Sequence, residues 1–352
     1  MTQPASPHID RIADIALRLL AYLGWLVFFC WLAVAIPVAR ARAADCTGKD
    51  LLAEMATSDP AGLEALRREA ATIANGKGIF WKIEKPGIAA SYLYGTMHLT
   101  DPRVLALPAA ALDAYTKADT VVIETDEIVD PKAPLRLMAE EPDLMMLPAG
   151  STLERLLPQD QLEAVRAGLA KRGMPLGSVN MMQPWVLTSV LALPACELAR
   201  KKGGAAFLDL QLAQDALSRG QKLAGLETMK DQLQVMAALP VRFHVGSLVE
   251  LIALGPRIDD LFETMTILYT RGDTGMIMPL MRSVSREGAL DDADYADFEQ
   301  KLITTRNATM VERAMPIIDR GNAFIAIGAL HLPGEKGLIA LLQQRNYQVT
   351  PQ

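Results

Sequence analysis

Two segments far apart in the chain share one local pattern: an apolar strand, a glycine, two residues, a histidine and a leucine. One reads Tyr92-Leu93-Tyr94-Gly95-Thr96-Met97-His98-Leu99, the other Ala326-Ile327-Gly328-Ala329-Leu330-His331-Leu332. A second pair of apolar stretches ends in glutamate, at Ile123-Glu124-Thr125 and Leu226-Glu227-Thr228. Helical stretches separate these strands. Alternation of this kind implies an α/β fold, with a mostly parallel or mixed central sheet and flanking helices. In an open sheet, ligands bind beyond the carboxyl ends of the strands. Four strands, in two pseudo-repeated halves, are thus expected to deliver two histidines and two glutamates to one edge.

The remaining pattern fills in that frame. Residues 46–75 carry apolar side chains at near-helical spacing. Strands are expected at 79–83 and 91–94, joined as a hairpin through Pro86-Gly87, and again at 120–123, 222–226, 323–327 and 347–350. Helices are expected at 102–118, from about 226 to 320 with interruptions near Gly272 and Gly288, and at 335–345. Between about 127 and 219 the sequence turns to Leu, Met, Ala and charged residues, read as a helical insertion. With 51% hydrophobic residues the chain has ample material for a core.

Residues 19–39 are almost uncharged. Arg11 and Arg18 precede this run and Ala41-Arg42-Ala43 follows it. Basic flank, apolar run and small-residue site describe a secretory signal, which makes 1–43 a signal peptide and 44–352 the mature α/β domain. The run is also long enough to remain as an N-terminal membrane anchor. In either case the domain is expected outside the cytoplasm: periplasmic or secreted, or attached to the inner membrane. Asp45 directly before Cys46 is at odds with a lipoprotein signal. Cys30 lies within the apolar run, so Cys46 and Cys196 are the only two cysteines after it. An oxidising compartment would allow them to pair, and two separate thiols are the alternative.

The glycines suit strands that turn sharply or approach another group closely. Imidazole and carboxylate together suit divalent Zn, Mn, Co or Fe, and equally suit a general base and acid around a bound water. Thr304-Thr305-Arg306-Asn307 adds a candidate for orienting an oxyanion, or a solvated helix start. His244 reads as a packing or helix-surface residue, and His8 precedes the apolar run. The acidic group Asp291, Asp292, Asp294 and Asp297 lacks EF-hand spacing and reads as a solvated helix start. There is no His-Glu-x-x-His helix, Gly-x-Ser-x-Gly elbow or phosphate-binding loop. A net charge of -6, without a basic run and with 5% aromatic residues, argues against a nucleic-acid partner.

The paired Gly-x-x-His segments, Val121-Val122-Ile123-Glu124, Leu226-Glu227-Thr228 with Gln232-Leu233, Arg306-Asn307 and the closing run to Leu341-Leu342 resemble the TraB/GumN family, which includes the animal Tiki proteins. The resemblance runs from about Trp81 to Val349. It implies a metal-dependent hydrolase, since Tiki members act as Mn- or Co-dependent proteases. Related folds include an erythromycin esterase and a haem-binding protein. Carried over by position, His98, Glu124 and His331 are the expected metal ligands for Mn, Co or Zn. Glu227 is the expected proton-transfer residue, with Arg306 and Asn307 in support. The expected substrate is a peptide or small amide or ester, cleaved by metal-activated water. The alternative is a non-catalytic haem- or metal-binding envelope protein, its two histidines ligating axially with help from Tyr92 or Tyr94.

Overall fold

The runs Val121-Val122-Ile123 and Ala323-Phe324-Ile325-Ala326-Ile327 are apolar without a break because both of their faces are covered. A computed structural model describes residues 46–284, 290 and 292–352. The expected signal segment, with His8 and Cys30, lies outside the described residues, as does Asp291. No single helix among the described residues is long and apolar enough to cross a membrane.

The strands are β1 (Phe80–Lys85), β2 (Ile88–Thr96), β3 (Thr120–Ile123), β4 (Lys222–Gly225), β5 (Ala323–Gly328) and β6 (Gln348–Pro351), in the spatial order β4-β3-β5-β2-β1-β6. β4, β3, β5 and β2 run parallel, while β1 is antiparallel to both β2 and β6. The sheet is therefore mixed, and the fold is α/β as the alternation of elements implied. The principal helices are α1 (Leu51–Ser58), α2 (Pro60–Ala71), α3 (Ala109–Lys117), α4 (Leu208–Ser218), α5 (Met229–Ala237), α6 (Val241–Leu254), α7 (Arg257–Thr270), α8 (Arg306–Ile318) and α9 (Leu338–Gln343).

Side chains along the central strands alternate between two cores, as the pleat requires. Val121, Ile123, Phe324 and Ala326 pack with α3 and α4. Val122, Ile325 and Ile327 pack with α8 and α9. The last helix of the 127–219 stretch, α4, thus lies on the sheet as part of the β3-to-β4 crossover. Shorter helices before it gather around a separate apolar cluster, including Leu153, Leu169 and Leu187, shared with Val245 and Leu248 of α6.

Proline breaks two helices that periodicity alone would have drawn as one. The 46–75 stretch divides at Asp59-Pro60, where the Asp59 carboxylate accepts the Gly62 amide and caps α2. The 102–118 stretch divides before Pro108, which precedes α3. One polar expectation also changes. Asp294 is a buried partner of Arg242, at 2.6 Å, and not a solvated group. His244 is a packing residue, with its Nε2–H donating to the Met236 carbonyl at 2.9 Å.

Cys46 and Cys196 form a disulfide with a Cα separation of 5.4 Å. It ties the start of the described chain to a helix whose Glu197 accepts hydrogen bonds from both the amide and the hydroxyl of Thr100. In protein unfolded without reductant, thiol labelling should find neither Cys46 nor Cys196 reactive. Labelling of both at these conditions would show that the bridge is not formed.

Candidate active site

Register places the paired motifs side by side. Gly95 faces Ile327 and Thr96 faces Gly328 across the β2–β5 ladder, and Ile123 faces Ala326 across β3–β5. A side chain on Gly95 would stand 3.1 Å from both the Ala329 Cβ and a Leu332 methyl. One on Gly328 would stand 2.9 Å from Glu124 Oε1. The two glycines thus let one motif close against the other and admit a carboxylate to the strand end, a requirement of close approach.

Glu124 follows directly on β3 and is buried. Its Oε1 accepts the Gly328 amide at 2.9 Å, and its Oε2 accepts from Gln232 Nε2 at 3.1 Å and Arg306 Nη2 at 2.6 Å. Burial by itself would raise its pKa. His331, which carries a proton at the low pH where Glu124 titrates, together with the charges of His98 and Arg306 and the Gly328 N–H, outweighs that and holds it at about 2. Glu227 follows β4, and its amide donates to the Glu124 carbonyl at 2.7 Å. Its carboxylate accepts from Arg306 Nε at 3.0 Å and Nη2 at 2.6 Å. Gln232 is brought here by α5, which opens with a capping box between Thr228 and Asp231.

Arg306 is the hub. A π-helical turn, Gln300–Thr305, runs into α8 just before it, a device that re-aims side chains at functional sites. Every guanidinium nitrogen is engaged. Nε and Nη2 serve the two glutamates, while Nη1 donates to the Leu302 carbonyl at 3.1 Å and to His331 Nε2 at 3.3 Å. His331 donates from Nδ1 to Asn307 Oδ1 at 2.6 Å, and Asn307 Nδ2 donates to the Lys336 carbonyl at 2.9 Å. That chain fixes the tautomer and leaves Nε2 as an acceptor. Burial, with Arg306 adding to it, depresses His331 to about 4, so the ring is neutral. Arg306 and Asn307 therefore bind the expected site residues to one another, and neither is free in this arrangement to orient an oxyanion.

His98 is held by a different carboxylate, though its charge still acts on Glu124 and His331. Its ring is half-exposed, at 55% of the side-chain surface. Nδ1 lies 2.8 Å from Asp209 Oδ2, and the other Asp209 oxygen accepts the Thr96 hydroxyl at 2.7 Å. Lys201 donates to the His98 carbonyl at 3.1 Å, and Phe207 meets the ring edge-on at 5.6 Å between centroids. The Asp209 charge outweighs desolvation and pushes His98 up to about 9, with Glu124 adding to the effect. Asp209 is buried in the first turn of α4, where the helix dipole favours a carboxylate. Sequence reading missed it, since one Asp in a helical stretch carries no distinguishing local pattern. Gln232 was visible only as a residue of the family resemblance, without a role.

Glu124, Glu227 and His331 are thus brought together on Arg306, with Asn307 behind His331 and His98 held on Asp209. Among the described residues, no group of three or more His, Cys, Asp or Glu is arranged to hold a metal ion. The donor types suit a divalent ion but their arrangement does not fit one. Both glutamates and His331 accept from one guanidinium, the remaining Glu124 oxygen accepts the Gly328 amide, and a His98 that carries its second proton has no lone pair to offer. Tyr94, considered above as a haem ligand, is buried and stacks on Phe324, with ring centroids at 5.8 Å; Tyr92 stacks on Phe80.

Comparison with known proteins supplies the context. The chain is 25% identical over 317 residues to "Metalloprotease TIKI2" of Danio rerio, an alignment covering 76% of this chain and 60% of the relative. It is 24% identical over 331 residues to "Metalloprotease TIKI homolog" of Nematostella vectensis, covering 78% and 67%. It is 24% identical over 271 residues to YbaP of Shigella flexneri, covering 74% and 90%. The chain therefore spans about 60% of the length of the first of these relatives. No solved structure matches it. The model of the TraB/PrgY/gumN family matches residues 79–351, which takes in all six strands and every residue of the Arg306 hub. The chain is a member of the TraB/PrgY/gumN family.

Proposed function

We propose that the protein is a hydrolase of peptides or small amides and esters, acting outside the cytoplasm, with His98 as its acid–base residue. The observation that carries this reading is the Thr96–Asp209–His98 array at the open edge of the sheet. A buried carboxylate accepting from Nδ1–H leaves Nε2 as the atom whose proton the imidazolium can give up. The imidazolium would donate it to the leaving nitrogen or oxygen as the scissile bond breaks, while water forms the new bond to the carbonyl carbon and the proton it releases restores the imidazolium. Glu124, held ionised beside Arg306, supplies negative charge that favours the protonated ring. The metalloprotease names of the Tiki relatives support a peptide-like substrate. Those names also bring the expectation of a metal cofactor, but the arrangement described above does not fit one, and no step here is routed through it.

The Cys46–Cys196 disulfide and the apolar 19–39 segment support a periplasmic or secreted address, or one held at the inner membrane by that segment. The reading is tested by incubating the protein with peptide mixtures and with ester and amide panels. Each is run after chelator treatment and again with Mn, Co or Zn added singly. Cleavage that tracks the wild type and disappears in His98→Gln supports the proposal. No cleavage in any panel, or equal cleavage by the variant, rejects it.

A further inference from the structure

We infer that the Arg306 guanidinium is the resident cation of the Glu124–Glu227–His331 cluster, and that it excludes a divalent metal from the place the paired motifs would otherwise offer one. The inference stands independently of the hydrolase reading, because it concerns what the cluster binds and not what the site cleaves.

Three observations carry it. The two carboxylates meet on one nitrogen, with Glu124 Oε2 and Glu227 Oε2 each 2.6 Å from Arg306 Nη2. Such close charge-assisted bonds are the strong kind, and the planar fork suits them. His331 turns its free lone pair to the same guanidinium, at 3.3 Å from Nη1. That orientation is set from behind by Asn307, which is itself anchored on the Lys336 carbonyl. Arg306 is in turn pinned to the Leu302 carbonyl within the π-helical turn. The donors that a first-row ion would take are thus directed at a cation that the chain carries covalently. A carboxylate or imidazole lone pair serves one cation at a time, so a metal could enter only by displacing a partly buried arginine held by both glutamates.

Substitution of the arginine should open what it fills. Full-length protein is titrated with Co2+ alone, followed by visible absorption and calorimetry, after chelator treatment and gel filtration. Wild type should show no one-to-one site that depends on Glu124 or His331, and Arg306→Lys should match it, because a cation remains. Arg306→Ala should gain one Co2+ site, roughly 100-fold or more tighter than any binding to wild type, as vacated carboxylate and imidazole donors suit such an ion. Adding Glu227→Gln or His331→Ala to that variant should remove the gain. A wild-type Co2+ site abolished by Glu124→Gln or His331→Ala would overturn the inference, and so would a folded Arg306→Ala protein that gains nothing. If Arg306→Ala does not fold, the wild-type and Arg306→Lys titrations still decide. Failure to cleave any substrate rejects the hydrolase reading alone and leaves the titration result standing.

Discussion

His98→Gln should lower turnover on any substrate the protein accepts by about 10²–10⁴-fold, the usual range for losing a general acid or base. The fold should survive, because the ring is half-exposed and the glutamine amide can still donate to Asp209. Asp209→Asn should act differently. The amide preserves the shape of the pair but removes the charge that raises His98 to about 9. If the protonated ring is the donor, wild-type activity should hold through neutral pH and fall on the alkaline side as His98 loses its proton near 9. In Asp209→Asn that limb should move down toward the ordinary histidine value of about 6.5. A pH profile of kcat/KM for the two proteins reads the shift directly. An alkaline limb that stays in place would remove Asp209 from the role of setting His98.

Arg306→Met should destabilise the protein by about 3–5 kcal/mol at neutral pH, the cost of leaving buried charge without its partner. Glu124 and Glu227 are both buried and would face each other without the guanidinium between them. The loss should depend on pH in a definite direction. Glu124 is held at about 2 in the folded protein, below its ordinary value, so its pairing contributes stability above the usual carboxylate range. That contribution fades as pH falls toward 2. In the variant Glu124 loses the guanidinium that helps to hold it ionised and takes up a proton more readily, which relieves the repulsion. The gap between the two urea unfolding curves should therefore be widest at neutral pH and narrow under mildly acid conditions. A gap that does not change with pH would mean that lost packing, and not charge, accounts for the destabilisation.

The family assignment gives both results a wider meaning. Tiki relatives at about a quarter identity are named as metalloproteases, and the paired histidines and strand-end glutamates are present here. The side chains nevertheless share out differently from the ligand set that the resemblance implied. Glu124 and His331 join Glu227 on Arg306, while His98 joins Asp209. The cobalt titration and the His98 pH profile address those two halves of the site separately.

Much of this site was legible in the sequence because its backbone signals are local. Uninterrupted apolar runs at 121–123 and 323–327 mark buried parallel strands, and glutamate or Gly-x-x-His at their ends marks the edge where ligands gather. The order of strands and helices was readable for the same reason, since residue spacing carries the period of each element. The pairing of side chains at that edge was not readable. Asp209 and Gln232 come from helices that reach the edge only once the crossovers are packed. The aim of Arg306 depends on a π-helical turn, which leaves no clear mark in residue type. Hydrogen-bond partners are chosen by distances between elements remote in sequence. The chain alone determined which groups reach the sheet edge, and only the tertiary structure decided that a guanidinium stands among them, because its long side chain could have turned to solvent until two buried carboxylates required a counter-charge.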